Sequence, residues 1–164
     1  MINNAFKYKI WADKRALQAI GSVNKLRFQD SYKFLLQQVN HMIIVEDLFK
    51  SRLTNEFTPH NSTNTDIVPE LSELTDRLSE SGKWYLSYVS TLDKLNLEDL
   101  ISFKFADGKF GSMRKGEMLF HILNHGSYHR GSIANALDLA DVPHPIDGYG
   151  IYIHEKEPVR REQT

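Results

Sequence analysis

The sequence predicts an all-α protein, a four-helix bundle with a short β-hairpin before the last helix and an extended C-terminal tail, formed by residues 1–164 as a single domain. Three observations predict it. Four stretches carry apolar residues three and four positions apart, the spacing that lines one face of an α-helix. Between the third and fourth stretches, alternation around Asp107-Gly108 signals two short paired strands. Beyond Asp141, Pro143 and Pro145 are incompatible with continued helix.

The first helix is expected from about residue 3 to 22, with Phe6, Ile10, Leu17 and Ile20 on one face and Gly21-Ser22 ending it. Asp30 or Ser31 is a suitable cap for the second, a long run from Tyr32 to about Leu53 with Leu35, Val39, Met42 and Phe49 at helical intervals. Thr54 to Val68 has no periodicity and is rich in Thr, Asn, Ser and Pro, which makes it a connecting loop, long for a bundle. His60 within it reads as a solvated residue. Pro69 suits a first helical position, and Leu71, Leu74, Leu78, Tyr85, Tyr88 and Leu92 follow, with Gly82 weakening the middle. Trp84, Tyr85 and Tyr88 read as core before pocket lining. Ile101 to Lys104 and Lys109-Phe110 flank the hairpin turn, and Ser112 is placed to cap a fourth helix running to about Ala140. The extended tail is expected to pack Ile151, Tyr152 and Ile153 onto the bundle and to fray at its charged end.

Composition excludes several functions. The formal net charge is −1 and the lysines and arginines are scattered, so nothing attracts a polyanion, and nucleic acid is not an expected partner. With no cysteine there is no disulfide, thiolate metal site or cysteine nucleophile, and any thiol chemistry must use an external thiol. No apolar stretch approaches the roughly 20 residues of a membrane span, and the N-terminus lacks a leader pattern. A cytoplasmic protein is the expectation.

The chemistry-bearing stretch is His121 to Gly131, where His121, His125 and His129 recur every fourth residue. Seven histidines placed at random in this length would give about 0.3 such pairs, whereas two overlapping ones are present, so the spacing is a signal. Met118 and Ile122 precede His125 and His129 on their face, and Ala136 and Ala140 follow. Two readings fit: hydrogen-bonded core histidines, or imidazoles converging on a metal. On the second helix His41 lies in the row Phe34, His41, Val45, Leu48, and a polar ring in that row needs a partner. Bundles build metal sites from side chains on facing helices, so His41, His125 and His129 are the candidate ligands.

The residues resemble the DinB-like (DinB/YfiT) family of metal-binding four-helix bundles, named after a damage-inducible bacterial gene. The matching residues are Tyr8-Lys9-Ile10-Trp11-Ala12-Asp13, Asn40-His41 with Glu46-Asp47-Leu48-Phe49, His121 to Gly131, and Pro143-His144-Pro145-Ile146-Asp147. His-x-x-x-His-Arg-Gly at His125 to Gly131 is the specific part; Ser132 departs from the family, which commonly has Gln there. The resemblance implies an unusual long connection between helices two and three, a divalent metal held by His41, His125 and His129, and a homodimer. Zinc or nickel is the first choice, with iron or manganese next. It also implies a small-molecule substrate, including a low-molecular-weight thiol, since relatives include thiol-dependent S-transferases and isomerases.

Three neutral imidazoles leave a coordination position open, the arrangement of a catalytic rather than a closed structural site. His121 is then a second-sphere or acid/base candidate, with a packed, hydrogen-bonded ring as its plainer role. Arg130 reads as a structural ion pair before an anion site. Glu46, Asp47 and Glu117 are carboxylates able to orient a ligand ring, and surface solvation is the plainer role, favoured for Glu117. The expected function is a metal-dependent thiol S-transferase, or a hydrolase; the alternative is a non-catalytic metal-binding stress or interaction protein. A third reading is a metal-free helical dimer with core histidines.

Overall fold

A computed structural model of the protein describes residues 1–57, 60–105 and 108–161. The four apolar-striped segments form α1 (Ile2–Gly21), α2 (Gln29–Thr54), α3 (Leu71–Ser90) and α4 (Lys115–Leu139). Strands β1 (Leu100–Lys104) and β2 (Phe110–Arg114) pair antiparallel between α3 and α4, and a short α5 (Tyr149–Lys156) follows α4. Each long helix buries the stripe its spacing marks: Phe6, Ala16 and Ile20 on α1, Leu35, Val39 and Met42 on α2, Leu74, Leu78 and Tyr85 on α3, Met118, Ile122 and Ile133 on α4. Asn55 ends α2 in the left-handed conformation at φ 55°, its N–H returning to the Ser51 carbonyl.

The order of the helices around the bundle is not their order in the chain. α1 packs against α3 and α4, and α2 packs against the same two, so α1 and α2 face each other across the bundle diagonal. Two apolar clusters fix the directions. One end gathers Ile20, Leu35, Leu74 and Leu137. The other gathers Phe6, Leu53, Val89 and Met118. α2 and α3 therefore run the same way, and their connection must travel back along the bundle, which explains its length. It runs antiparallel beside α2 and is pinned to it. His60 donates to Asp47 at 2.8 Å, the Gln37 amide to Asn64 at 2.8 Å, and the Asn40 amide to Thr65 at 2.8 Å. His60 is thus an anchor of this strap rather than a solvated loop residue; Thr58 and Pro59 lie outside the described residues.

Several local expectations are corrected. Asp30 and Ser31 lie inside the first turn of α2 and cap nothing; the chain turns earlier, where the Asn24 side chain accepts the N–H groups of Leu26 and Arg27. Pro69 precedes α3, which begins at Leu71, and Leu92 lies beyond its end. Ser112 belongs to β2, opposite Ser102. α4 starts instead where Glu117 accepts the Arg114 N–H at 2.7 Å, so the exposed Glu117 caps its own helix. The hairpin turn keeps Gly108 at φ +87°, and Ala106 and Asp107 lie outside the described residues. The tail is without regular structure over 142–148; α5 then turns Tyr152 inward against Tyr8 and Trp11, while Ile151 is left exposed. Eight residues are too few for a periodic signal to separate helix from extended chain.

Gly82 does not break α3. It is where α3 meets α1: a Cβ there would lie 2.9 Å from Cγ1 of Ile10. Gly82→Ala is therefore expected to lower stability by about 1 kcal/mol, the overpacking cost of about 1–3 kcal/mol outweighing a helix-propensity gain of about 1 kcal/mol. Urea unfolding of parent and variant measures it, and a more stable variant would show that the helices part without strain.

Candidate metal centre

α2 and α4 lie side by side and antiparallel, which brings the middle of one against the middle of the other. His41 projects from α2, and His125 and His129 project from successive turns of α4. The Nε2 of His125 lies 3.1 Å from Nε2 of His41 and 3.1 Å from Nε2 of His129. All three rings are half-buried. Ligand nitrogens about 2.0–2.1 Å from a tetrahedral zinc sit about 3.3–3.4 Å apart, so these separations are slightly shorter than those of a ligand set.

The hydrogen bonds behind the rings decide the chemistry. Nδ1 of His41 lies 2.8 Å from the Thr63 carbonyl, and Nδ1 of His129 lies 2.7 Å from the Gln38 amide oxygen. A carbonyl oxygen only accepts, so each Nδ1 carries the proton and each neutral ring turns a bare Nε2 lone pair toward its neighbours. His125 can offer one N–H to one of them. The other contact is left as lone pair against lone pair, which a cation at the centre would resolve. The residues present therefore fit a divalent metal.

Burial, aided by the neighbouring His129, His41, His121 and Lys9, pushes the His125 imidazole down to about 3. Burial and His41 push His129 down to about 4. Both rings are neutral at pH 7, the form that ligates a metal.

Behind the histidines, and between the two apolar clusters, lies a layer of buried ions. Lys9 reaches Asp13 at 2.6 Å and Glu46, across the diagonal, at 2.6 Å. Asp13 also accepts from Arg130 at 2.7 Å, and Arg130 in turn reaches Asp147 at 2.7 Å. Ser81 donates to Glu46, and Tyr8 donates to Asp147. Tyr85 donates to the Glu46 carbonyl at 2.7 Å. Lys9, Asp13, Glu46 and Arg130 are all at most 5% exposed, and among the described residues no fully buried side-chain nitrogen or oxygen is without a partner.

The remaining sequence candidates fall into place around these two features. Arg130 is the structural ion pair expected of it. Glu46 and Asp47 orient no ligand ring: Glu46 closes the ion layer, and Asp47 holds His60 and Arg77. A backbone carbonyl and an amide do that work, from Thr63 and Gln38, which the sequence did not single out. Gln38 lies three residues before His41 and so shares its helix side, but that spacing alone is too common to signal a role. His121 is not one of the converging set. Its ring stacks between Phe49, at 4.6 Å, and His125, at 5.4 Å. His144 pairs with Asp138 in an exposed position away from the site.

Two antiparallel helices that turn three imidazoles onto one point define a class of protein, a helical bundle with a side-chain group that could hold a metal ion. The model of the DinB family matches residues 1–162, and the chain belongs to that family. It is similar to protein DinB of Bacillus subtilis (strain 168), 22% identical over 163 aligned residues covering 90% of this chain and 91% of that protein. Among the described residues, no helix is long and apolar enough to cross a membrane.

Proposed function

We propose that the protein is a divalent-metal-dependent enzyme acting on a small molecule, with transfer of an external low-molecular-weight thiol to an electrophile as its reaction and hydrolysis as the second choice. The observation that carries this reading is the convergence of three Nε2 atoms with two of the rings fixed from behind. Three ligands leave a position open, which suits a substrate better than a closed structural site would. A divalent ion there would supply Lewis acidity, lowering the pKa of bound water to about 7 or favouring a thiolate over a thiol. The chain's own part is orientation. Thr63 and Gln38 hold His41 and His129 in the ligating tautomer. His121 packs against His125 and limits its ring motion. Zinc or nickel is the expected metal, since neutral imidazoles suit both.

The test is metal analysis of protein purified without chelator, followed by a screen of low-molecular-weight thiols against electrophiles. Near-stoichiometric metal and thiol turnover that stops in His41→Ala are the expected results. Bound metal in a cobalt-substituted form whose absorption no thiol perturbs would leave a non-catalytic metal-binding protein in its place. A homodimer belongs to the same proposal: Phe120 and Tyr128 stand exposed on the outer side of α4, an apolar surface a second copy would cover. Sedimentation of the parent as a dimer, shifted toward monomer by Phe120→Glu, is the expected outcome.

A further inference from the structure

A cleft of about 800 Å³ opens where the end of α2 meets β1 and the start of the α2 to α3 strap. That volume is of the size that holds a small molecule, within about 300–1,000 Å³. Its walls are mixed. Leu48, Leu53, Ile101 and Phe103 line one part, and Arg52 and Lys104 bring positive charge to it. Lys115, also in the lining, is occupied by Asp99 at 2.7 Å. Among the described residues Glu56 is the carboxylate of the lining, and it accepts from Thr54.

Arg52 is the unusual group. It is half-buried, and its guanidinium carbon lies 4.2 Å from the Phe103 ring centre, 4.8 Å from that of Phe49 and 5.8 Å from that of Phe105. Among the described residues it has no hydrogen-bond acceptor and no carboxylate partner, unlike Arg130. Aromatic faces attract the cation but accept none of its five in-plane N–H donors. Burial pushes its pKa below the ordinary arginine value. The plain role of such a residue, a cation near the negative end of α2, explains the charge but not three rings gathered round the fork beside a cleft.

We infer that this cleft binds a small molecule carrying a carboxylate on an apolar body, with the carboxylate held by the Arg52 fork and the body against Leu53, Ile101 and Phe103. A planar fork held among aromatic rings is preorganised for bidentate carboxylate recognition, which lysine cannot reproduce. Arg52 lies over the Phe49 ring, Phe49 stacks on His121 and His121 on His125, so two rings stand between the guanidinium and His125. That this carboxylate belongs to the substrate of the metal centre rests on the proposed function; the binding site itself does not.

The experiment uses the full chain loaded with zinc and follows phenylbutyrate, its chain-length homologues, its neutral amide and inorganic phosphate by NMR titration. Phenylbutyrate or a homologue is expected to bind about tenfold more tightly than the matching amide, and Arg52→Gln to lose that margin. Arg52→Lys, which keeps the charge and loses the fork, should fall between them and carries the test if Arg52→Gln does not fold. Equal binding of acid and amide, equal binding by parent and variants, absence of any carboxylate binding, or binding of phosphate alone would each overturn the assignment. His125→Ala, with metal content measured in parallel, is expected to lose the metal and keep the carboxylate. Loss of both would place the carboxylate on the metal and overturn the Arg52 site, whereas a parent protein that takes up no metal yet binds the carboxylate would overturn only the metal centre.

Discussion

Lys9→Met is expected to lower the stability of the metal-free protein by about 3–5 kcal/mol, because removing one partner of a buried ion group strands the others. Asp13 and Glu46 would then face each other inside the bundle, 5% and 2% exposed, with only Arg130 to answer two negative charges. Set against a typical total of about 5–15 kcal/mol, the loss is a large share of what holds the bundle. Urea unfolding measures it. The double variant Lys9→Met, Glu46→Gln, which removes one of the stranded charges, should recover part of the loss; a single variant within about 1 kcal/mol of the parent would show that water reaches the layer.

The same layer sets the pH dependence. Burial alone would raise Asp13, but Lys9 and Arg130 outweigh it and hold its carboxyl below the ordinary value of 3.8. A carboxylate depressed in the folded state contributes stability that is fully present above its unfolded pKa and is lost as pH falls through the folded one. Glu46 is raised by burial, in spite of Lys9, and works in the opposite sense. Stability should therefore fall below about pH 4, less steeply than Asp13 alone would dictate, and the acid limb should flatten in Asp13→Asn. On the alkaline side, burial opposes the Lys9 charge, but Asp13 and Glu46 outweigh it and raise its pKa above 10.5, so its contribution is full below the unfolded value and is lost as pH rises from there through the raised one.

The parts of this molecule that were legible in the sequence are those that repeat. Four apolar stripes of 20 or more residues marked the helices, and the row through His41 together with the turn-spaced His125 and His129 marked the site. What stayed hidden depends on contacts between distant segments. Lys9 and Asp13, four residues apart on α1, carry no sign of burial in the sequence; only the arrival of Glu46 and Arg130 from two other helices makes them a buried ion layer. Gly82 reads as a weak point until Ile10 is seen against it. Thr63 lies in a loop without periodicity, and its carbonyl, a backbone group, carries no sequence signal at all. Nothing in the sequence marks Arg52, near the end of α2; only the hairpin, bringing Phe103 and Phe105 against it, sets it apart.

Adding zinc to the metal-free protein is expected to raise its melting temperature, and His125→Ala to abolish that rise. A ligand that binds only the folded state stabilises by RT ln(1 + [L]/Kd), about 4 kcal/mol at a thousandfold excess over Kd. His125 occupies the middle of the triad, 3.1 Å from each neighbour, so its loss leaves His41 and His129 with no common third nitrogen. The effect of Gln38→Ala separates a metal site from a hydrogen-bonded histidine cluster. Gln38 touches no ligand nitrogen; it holds Nδ1 of His129 and so fixes which nitrogen faces the centre. Freed, the ring can rotate or change tautomer, and affinity should fall by about 10–100-fold, while the metal-free protein melts much as the parent does. If instead the three rings merely bond to one another, zinc and chelator leave the melting temperature alone. His125→Ala then affects only the metal-free stability, and the lone pairs opposed at 3.1 Å must be answered by a proton rather than a metal.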